Sequence, residues 1–281
     1  MYVTLIARHP PALILPMNIR IIDAIKLLSE KNVRHAIISN DGIKINGLLS
    51  SKDILRYLRK KSFNMLWETI EPIVNKRPII GKITDEIPDL MKIMAKYDIG
   101  VIPIVDEEMK IWGLFSERHL FKLFSDVQTF IRVSEIMSKP LITTDIKSTI
   151  DDVVELMLDN DIRRIPIVSK NKLIGIITIK DIIRFMASNY FEDIINKELN
   201  PFEINALKIA SLNPKTISPE VDLSEAVKIM NSNNIGSLVV VYNDKPIGIV
   251  TERDFILKIP KLNGVEFIID KKGVIIGRLF F

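Results

Sequence analysis

The chain has 281 residues, 47% of them hydrophobic and 26% charged, and its 39 basic and 35 acidic side chains leave a formal net charge of only +4. It contains no cysteine, which excludes disulfides and thiolate metal sites, and its three histidines are too scattered to predict a zinc cluster. The small net charge gives no reason to expect nucleic-acid binding, although it mildly favours anionic ligands. No apolar run approaches the roughly 18 residues of a membrane span, so we expect a soluble cytoplasmic protein.

One short segment recurs four times and organises the chain. A glycine opens an apolar strand, a serine or threonine follows three residues later, and an apolar helix begins there; the glycines are Gly47, Gly113, Gly175 and Gly248. Their spacings of 66, 62 and 73 residues predict an array of similar units. We assign four units and a tail to residues 1–61, 62–127, 128–190, 191–260 and 261–281.

Within each unit the same elements are predicted in the same order. A short strand follows a proline in the later units, at residues 79–80, 141–143 and 215–217. The first helix has apolar residues at i, i+3, i+4 and i+7, which are Ile21, Ala24, Ile25, Leu28; Ile87, Leu90, Met91, Met94; Ile150, Val153, Val154, Met157; and Leu223, Ala226, Val227, Met230. A β-branched strand comes next, at residues 36–39, 101–105, 165–168 and 237–241, and a polar turn joins it to the glycine-initiated strand as a hairpin. A second helix ends the unit, so the predicted fold class is α/β (α+β), with four βαββα units.

The tail beyond the fourth unit has its own pattern. Residues 265–281 read as two strands around a turn at residues 271–273. We expect this hairpin to complete a sheet or cover a groove, and the alternative is an edge that binds a partner.

The start of each second helix is the first candidate for chemistry. Thr178 stands three residues before Asp181, which is an ordinary capping arrangement for a helix N-terminus. The same junction also suits a nucleotide, because free backbone N–H groups can bind a phosphate while a carboxylate accepts the two hydroxyls of a ribose. A single copy favours the capping interpretation, and the repetition leaves both open.

Cations enter the second strand only in alternate units. Unit 1 has Arg34 and His35 at this point and unit 3 has Arg163 and Arg164, whereas units 2 and 4 have a glycine in place of the first cation. Two cations at the start of an apolar strand are costly unless an anion meets them, although a solvated surface is the alternative. We therefore do not expect odd and even units to be interchangeable.

Together, the βαββα unit, the glycine-initiated strand ending in Thr/Ser-x-x-Asp, and the strand sequence at residues 162–168 resemble the CBS domain, and four copies cover nearly all of the chain. The resemblance implies that two CBS units pair with pseudo-two-fold symmetry into a Bateman module, and that the chain holds two such modules. It also implies that clefts between paired units bind adenine nucleotides or related adenosyl ligands. Four units in one chain are similar to the γ regulatory subunit of AMP-activated kinase and its stand-alone archaeal relatives.

The resemblance assigns roles to particular residues. It implies a ribose-binding carboxylate and an accompanying hydroxyl in three units, which are Asp53, Asp181 and Asp254 with Ser50, Thr178 and Thr251. It implies a ligand-proximal threonine at Thr143 and Thr216, where units 1 and 2 have Ile14 and Ile80, and phosphate contacts from Arg34, His35, Arg163 and Arg164. Unit 2 departs from the pattern, because His119 stands where the carboxylate should be and a neutral imidazole cannot accept two ribose hydroxyls. We therefore expect an empty or weak pocket in unit 2 and the more complete binding unit in the second module.

These observations predict a non-enzymatic sensor that binds AMP, ADP or ATP. No catalytic residue, metal site or catalytic cofactor is expected, since the repeated Asp, Thr and Arg positions include no activated nucleophile or poised base. The alternatives are a scaffolding oligomer with vestigial pockets, an S-adenosylmethionine binder and a nucleic-acid binder. Beyond the nucleotide, the candidate partners are a regulated protein and a second copy of the chain, and no membrane partner is expected.

Overall fold

The structure, a computed structural model, contains four mixed α/β units in the predicted element order and describes residues 1–124 and 129–262 together with the backbone of two tail strands. Unit 1 consists of β1 (Ile14–Leu15), α1 (Ile21–Glu30), β2 (His35–Ile38), β3 (Gly47–Ser50) and α2 (Ser51–Lys61). Unit 2 consists of β4 (Gly81–Lys82), α3 (Ile87–Tyr97), β5 (Val101–Val105), β6 (Ile111–Ser116) and α4 (Glu117–Phe121). Unit 3 consists of α5 (Val133–Ile136), β7 (Thr144–Asp145), α6 (Ile150–Asp159), β8 (Arg164–Ser169), β9 (Lys172–Thr178) and α7 (Ile179–Met186). Unit 4 consists of α8 (Asn189–Asn196), β10 (Ser211–Leu212), β11 (Thr216–Ile217), α9 (Leu223–Ser232), β12 (Ser237–Tyr242), β13 (Lys245–Thr251) and α10 (Glu252–Lys258).

The first helix of every unit buries the apolar face that its sequence predicts. All sixteen residues of the four predicted stripes are buried on α1, α3, α6 and α9. Two of these helices also begin at side-chain caps, since Thr149 accepts a hydrogen bond from the backbone N–H of Asp152 and Asp222 accepts one from that of Ser224. The stripes are therefore core packing, as their spacing indicates.

The short first strand of two units was predicted too early in the chain. It lies at Gly81–Lys82 and Thr144–Asp145 and not at residues 79–80 and 141–143, whereas Thr216–Ile217 is as expected. Each first strand runs parallel to the second strand of its unit, and this pairing fixes the position. In each unit one residue of the first strand pairs with the same position of the second strand; these residues are Leu15, Gly81, Thr144 and Ile217. The residues directly before them, Ile14, Ile80, Thr143 and Thr216, therefore also occupy one equivalent position in the four units.

The segment that leads into each unit pairs with the glycine-initiated strand of a neighbouring unit. Arg8 of unit 1 exchanges backbone hydrogen bonds of 3.0 Å with Leu114 of unit 2, and Asn75 of unit 2 does the same with Leu48 of unit 1. Units 3 and 4 repeat the exchange, through Ser138 with Ile249 and through β10 with β9. The sheets therefore join units 1 and 2 into a first module and units 3 and 4 into a second.

Glycine is required where these lead-in segments cross. A Cβ on Gly113 would lie 2.5 Å from the carbonyl oxygen of Arg8, which is backbone and cannot swing away. At Gly175 the corresponding contact, with the carbonyl oxygen of Ser211, would be 3.1 Å. The glycine that marks each repeat thus allows two backbones to approach closely.

We expect Gly113→Ala to lower the free energy of unfolding by about 1–3 kcal/mol, because the added methyl group must displace the lead-in segment. The measurement is equilibrium urea unfolding of both proteins at the same pH. Gly175→Ala is the matched control and should cost clearly less, because its contact is longer. Equal losses in the two variants would show that the crossing at Arg8 imposes no special constraint.

The helices join the two modules. α1 and α2 of unit 1 pack on α6 and α7 of unit 3 around one core cluster, and α4 of unit 2 packs on α10 of unit 4, where the rings of Phe121 and Phe255 meet edge to face at 5.1 Å. Sheet contacts thus run within a module, whereas the main helix contacts between modules join odd units to each other and even units to each other. All four units meet at the centre. None of the helices in the described part of the chain combines the length and apolar character that a membrane span needs.

The tail forms the predicted hairpin. Its strands, β14 (Val265–Asp270) and β15 (Gly273–Arg278), are antiparallel. They form a two-stranded sheet of their own, so the expectation that the tail completes another sheet is wrong for the described strands. The turn residues Lys271 and Lys272 lie outside the described residues.

Candidate functional site

Three helix N-termini carry the predicted pair of a hydroxyl and a carboxylate, and in each the hydroxyl donates to the carboxylate. Asp181 Oδ2 accepts hydrogen bonds from the backbone N–H and the hydroxyl of Thr178, at 2.9 and 2.6 Å, and Asp254 Oδ2 accepts the same pair from Thr251, at 2.8 and 2.7 Å. Asp53 Oδ2 accepts from the Ser50 hydroxyl at 2.5 Å. One oxygen of each carboxylate is therefore committed to capping the helix.

The second oxygen of each carboxylate contacts a cation. Asp53 Oδ1 lies 3.1 Å from Arg56 and Asp181 Oδ1 lies 3.2 Å from Arg184, whereas Asp254 Oδ1 lies 2.7 Å from Lys258 and also accepts from Ser138 at 2.9 Å. The Arg56 and Arg184 side chains are more than half exposed. In these two units an exposed side chain can leave, and Oδ1 is then free to accept ligand hydroxyls.

A cavity opens at each of these carboxylates, and we name each cavity after its carboxylate. The Asp181 cavity has a volume of about 500 Å³, the Asp53 cavity about 420 Å³ and the Asp254 cavity about 180 Å³. Ligand pockets generally measure about 300–1,000 Å³, so the first two have the size that a nucleotide needs. The Asp254 cavity is smaller, although its unit carries the full sequence pattern.

The predicted cations line the cavities, and the three arginines among them each line more than one. Arg163 lines all three cavities, Arg34 lines the Asp53 and Asp181 cavities, and Arg164 lines the Asp181 and Asp254 cavities. His35 lines the Asp53 cavity. Thr143 and Thr216 line none of the three, although Ile142 and Lys215, the residues before them, do.

Two buried glutamates of the even units form ion pairs with arginines where the four units meet, and the sequence analysis predicted neither of them. Glu117 binds Arg163 at 2.9 Å and Arg253 at 2.6 Å, and Glu252 pairs with Arg118. A Cβ on Gly100 would lie 3.1 Å from the Glu117 carboxylate, and one on Gly236 would lie 3.3 Å from that of Glu252. The repeats do contain a pattern that could have revealed them, because each unit with glycine directly before its second strand has glutamate as the first residue of its second helix.

The charges at the centre shift several pKa values. Burial alone would raise the pKa of Glu117, but Arg163, Arg253 and Arg34 outweigh it and hold that pKa below its usual range. Burial, with help from Arg163 and Arg164, lowers the pKa of Arg34 to about 10. Burial, Arg34 and Arg118 together lower the pKa of Lys180 to about 8. Burial and the adjacent arginines lower the pKa of His35 well below its usual value, so the His35 ring is neutral at pH 7.

Comparison with known proteins identifies the family. The CBS domain profile matches residues 6–60, 70–126, 133–188 and 207–261, which is most of the chain. The chain belongs to the CBS domain family. Its four CBS units, paired by exchange of their lead-in segments, correspond to two Bateman modules.

Two proteins are similar to this chain along almost their whole length, one in sequence and one in structure. A 33.4 kDa protein in the ribosomal RNA operon of Thermofilum pendens is 28% identical over 98% of each chain. The crystal structure of protein MJ1225 from Methanocaldococcus jannaschii, proposed to be an archaeal homologue of γ-AMPK, superposes with a TM-score of 0.83 at 24% identity. That superposition covers 92% of this chain and 99% of MJ1225, and it establishes the shared fold.

The second CBS unit departs from the other three, as its sequence predicts. His119 Nδ1 lies 3.3 Å from the Ser116 hydroxyl, and burial together with Lys122, Arg8 and Arg118 lowers the pKa of His119 to about 4. The ring is therefore neutral at pH 7. In the same unit, His9 of the lead-in segment of unit 1 stacks on Trp112 of β6, with ring centroids 4.5 Å apart. That this position binds ligand weakly or not at all stays a prediction.

Proposed function

We propose that this protein is a non-enzymatic regulatory protein that binds an adenine nucleotide in clefts between its CBS units, foremost in the Asp181 cavity. The observation that carries the proposal is the combination in one cavity of nucleotide size, a carboxylate oxygen held only by an exposed arginine, and a group of guanidinium side chains. The adenosyl ligands associated with the CBS family support the same conclusion. Neither the cap pairs nor the central ion pairs supply an activated nucleophile, which supports a binding role over an enzymatic one.

In the proposed complex Asp181 Oδ1 accepts the two ribose hydroxyls, while Oδ2 stays bonded to Thr178 and keeps the carboxylate aimed into the cavity. Apolar side chains of the cavity wall, such as Ile176, Pro214 and Val239, provide surfaces on which the adenine ring packs. The phosphates lie toward the arginines at the centre. In the Asp254 cavity, by contrast, Ser138 and Lys258 already hold Oδ1 and the volume is small, so binding there is secondary.

Regulation follows from the composition of the cavity wall. Arg34 belongs to unit 1, Arg118 to unit 2, Thr178 to unit 3 and Ser237 to unit 4, and all four line the Asp181 cavity. A ligand that contacts all four units stabilises one relative arrangement of the modules over any other, provided its affinity for the arrangements differs. A protein partner that binds across the modules can sense that difference.

The test is titration calorimetry of the purified chain with AMP, ADP, ATP and S-adenosylmethionine. We expect the wild type to bind adenine nucleotides and Asp181→Asn to weaken this binding about tenfold to a hundredfold, because a charged hydrogen-bond acceptor is lost. Asp193→Asn, an exposed site on α8 away from the three cavities, is the charge-matched control and should bind as the wild type does. Absence of binding to a folded, nucleotide-free protein would reject the proposal and favour a scaffolding role.

A further inference from the structure

The Asp181 cavity has a large surplus of positive charge. Seven Arg and Lys side chains line it against two carboxylates, those of Asp181 and Glu252. Some of these cations are already neutralised, since Arg118 pairs with Glu252, Arg184 with Asp181, and Arg163 with Glu117 outside the cavity. Of the four cations that remain, Arg34, Arg164 and Lys180 are half-buried and therefore poorly solvated, so an anion of several charges fits the cavity best.

Two cations of this group lack a partner in the described part of the chain, and of these Lys215 is exposed whereas Arg34 is half-buried. Among the residues that the structure describes, its guanidinium makes no hydrogen bond and no ion pair, whereas its carbonyl oxygen is held by the backbone N–H of Ser51 at 2.9 Å. Its neighbours Arg163 and Arg164 are also positive, and their repulsion contributes to the lowered pKa of Arg34. A half-buried arginine beside two others is stabilised when a phosphate approaches.

The other cavities lack this surplus. The Asp254 cavity is lined by four carboxylates, of Glu117, Asp161, Glu252 and Asp254, against three arginines. Four Arg and Lys side chains line the Asp53 cavity against three carboxylates. The balance of charged side chains therefore distinguishes three cavities that are built on the same repeated motif.

We propose that the Asp181 cavity selects nucleoside polyphosphates over monophosphates, and that Arg34, which reaches it from the other module, binds the terminal part of the phosphate chain. A monophosphate carries about two negative charges and each further phosphate adds about one, so the triphosphate best matches the surplus. The cationic sulfonium of S-adenosylmethionine is disfavoured for the same reason. The inference rests on the proposed function, because it assumes that the nucleoside is held at Asp181.

The experiment compares ATP, ADP and AMP, with inorganic triphosphate as a fourth ligand, by calorimetry on the wild type, Arg34→Gln and Asp181→Asn. We expect wild-type affinity to fall in the order ATP, ADP, AMP. Arg34→Gln should weaken ATP binding about tenfold to a hundredfold and AMP binding less than about threefold, because only the longer chain reaches this guanidinium. Arg20→Gln, at an exposed arginine paired with Asp23, is the matched control and should change neither affinity.

The outcomes separate the two proposals. Asp181→Asn should weaken all three nucleotides by a similar factor, and if neither variant affects any nucleotide, the proposed function of this cavity fails. If Asp181→Asn weakens all three but Arg34→Gln changes ATP and AMP equally, the function stands and the polyphosphate inference is overturned. Inorganic triphosphate that binds as tightly as ATP would also overturn it. Arg34→Lys, which keeps the charge, should retain most of the ATP affinity and guards against a folding defect in Arg34→Gln.

Discussion

Replacing Glu117 by alanine should lower the free energy of unfolding by about 3–5 kcal/mol, which is among the largest effects expected of a polar substitution in this chain. The carboxylate is only 6% exposed and binds two arginines, Arg163 and Arg253, that are themselves about a quarter exposed. Without it Arg163 loses its ion-pair partner and Arg253 retains Asp98, while Arg34 lies nearby in the same poorly solvated space. The cost comes from the charges left behind and not from the lost attraction itself.

Urea unfolding at pH 7 measures this loss, with Glu107→Ala, at an exposed site of unit 2, as the matched control. The pH dependence gives a second readout. Because the pKa of Glu117 is depressed in the folded protein, its contribution is complete above the ordinary value of 4.5 and is lost as the pH falls through the folded value. Glu117→Ala should thus differ most from wild type near neutral pH. A loss under about 1 kcal/mol there would show that the centre is solvated well enough to tolerate unpaired arginines.

The protein should also lose stability on acidification before most of its carboxylates protonate, because His119 binds a proton more readily in the unfolded chain than in the folded protein. The pKa of His119 is about 4 in the folded protein against an ordinary value of 6.5. The unfolded chain therefore binds more protons in this interval, and stability falls as the pH falls from 6.5 towards 4. At pH 4.5 His119 alone should cost on the order of 2 kcal/mol, and His35 acts in the same direction.

The measurement compares the free energy of unfolding at pH 7 and pH 4.5 for the wild type and for His119→Asn, which keeps a polar group but cannot titrate. The difference between the two pH values should shrink in the variant by on the order of 2 kcal/mol. Thr84→Asn, at an exposed position of the same unit that carries no titratable group, serves as the control and should leave the difference nearly unchanged. An unchanged difference in His119→Asn would show that the imidazole is protonated without cost.

The elements that local pattern determines were predictable from the sequence. The helix stripes follow the helical period, and the strand hairpins follow alternating turn and β-branched segments, so both depend on neighbours in the chain. The first strands of units 2 and 3 were misplaced because their position depends on register with a strand about twenty residues away. The exchange of lead-in segments joins residues over 100 positions apart, as Arg8 and Leu114 show, and no local pattern signals it.

The candidate site divides in the same way. Asp53, Asp181 and Asp254 belong to a repeated local motif, so repetition revealed them. Glu117 and Glu252 were not predicted, because neither belongs to a motif that all four units share. Glutamate occurs at this position only in the even units, where glycine replaces the first cation. The size of each cavity depends on how four units meet, which is why the Asp254 site looked complete in sequence but is the smallest of the three.

The exchanged lead-in segments also constrain the order in which the chain can fold. During synthesis Arg8 leaves the ribosome 106 residues before Leu114, the residue with which it pairs. Until then the lead-in segment at Arg8 lacks its partner in unit 2, and Asn75 must in turn be present before the edge of β3 is covered at Leu48. The first two units each have a three-stranded sheet of their own, but the exchanged backbone hydrogen bonds form only when both units are present, and pairing over such separations is slow. A nascent first unit therefore exposes the edge of β3, and the time for which that edge stays uncovered depends on the rate of translation.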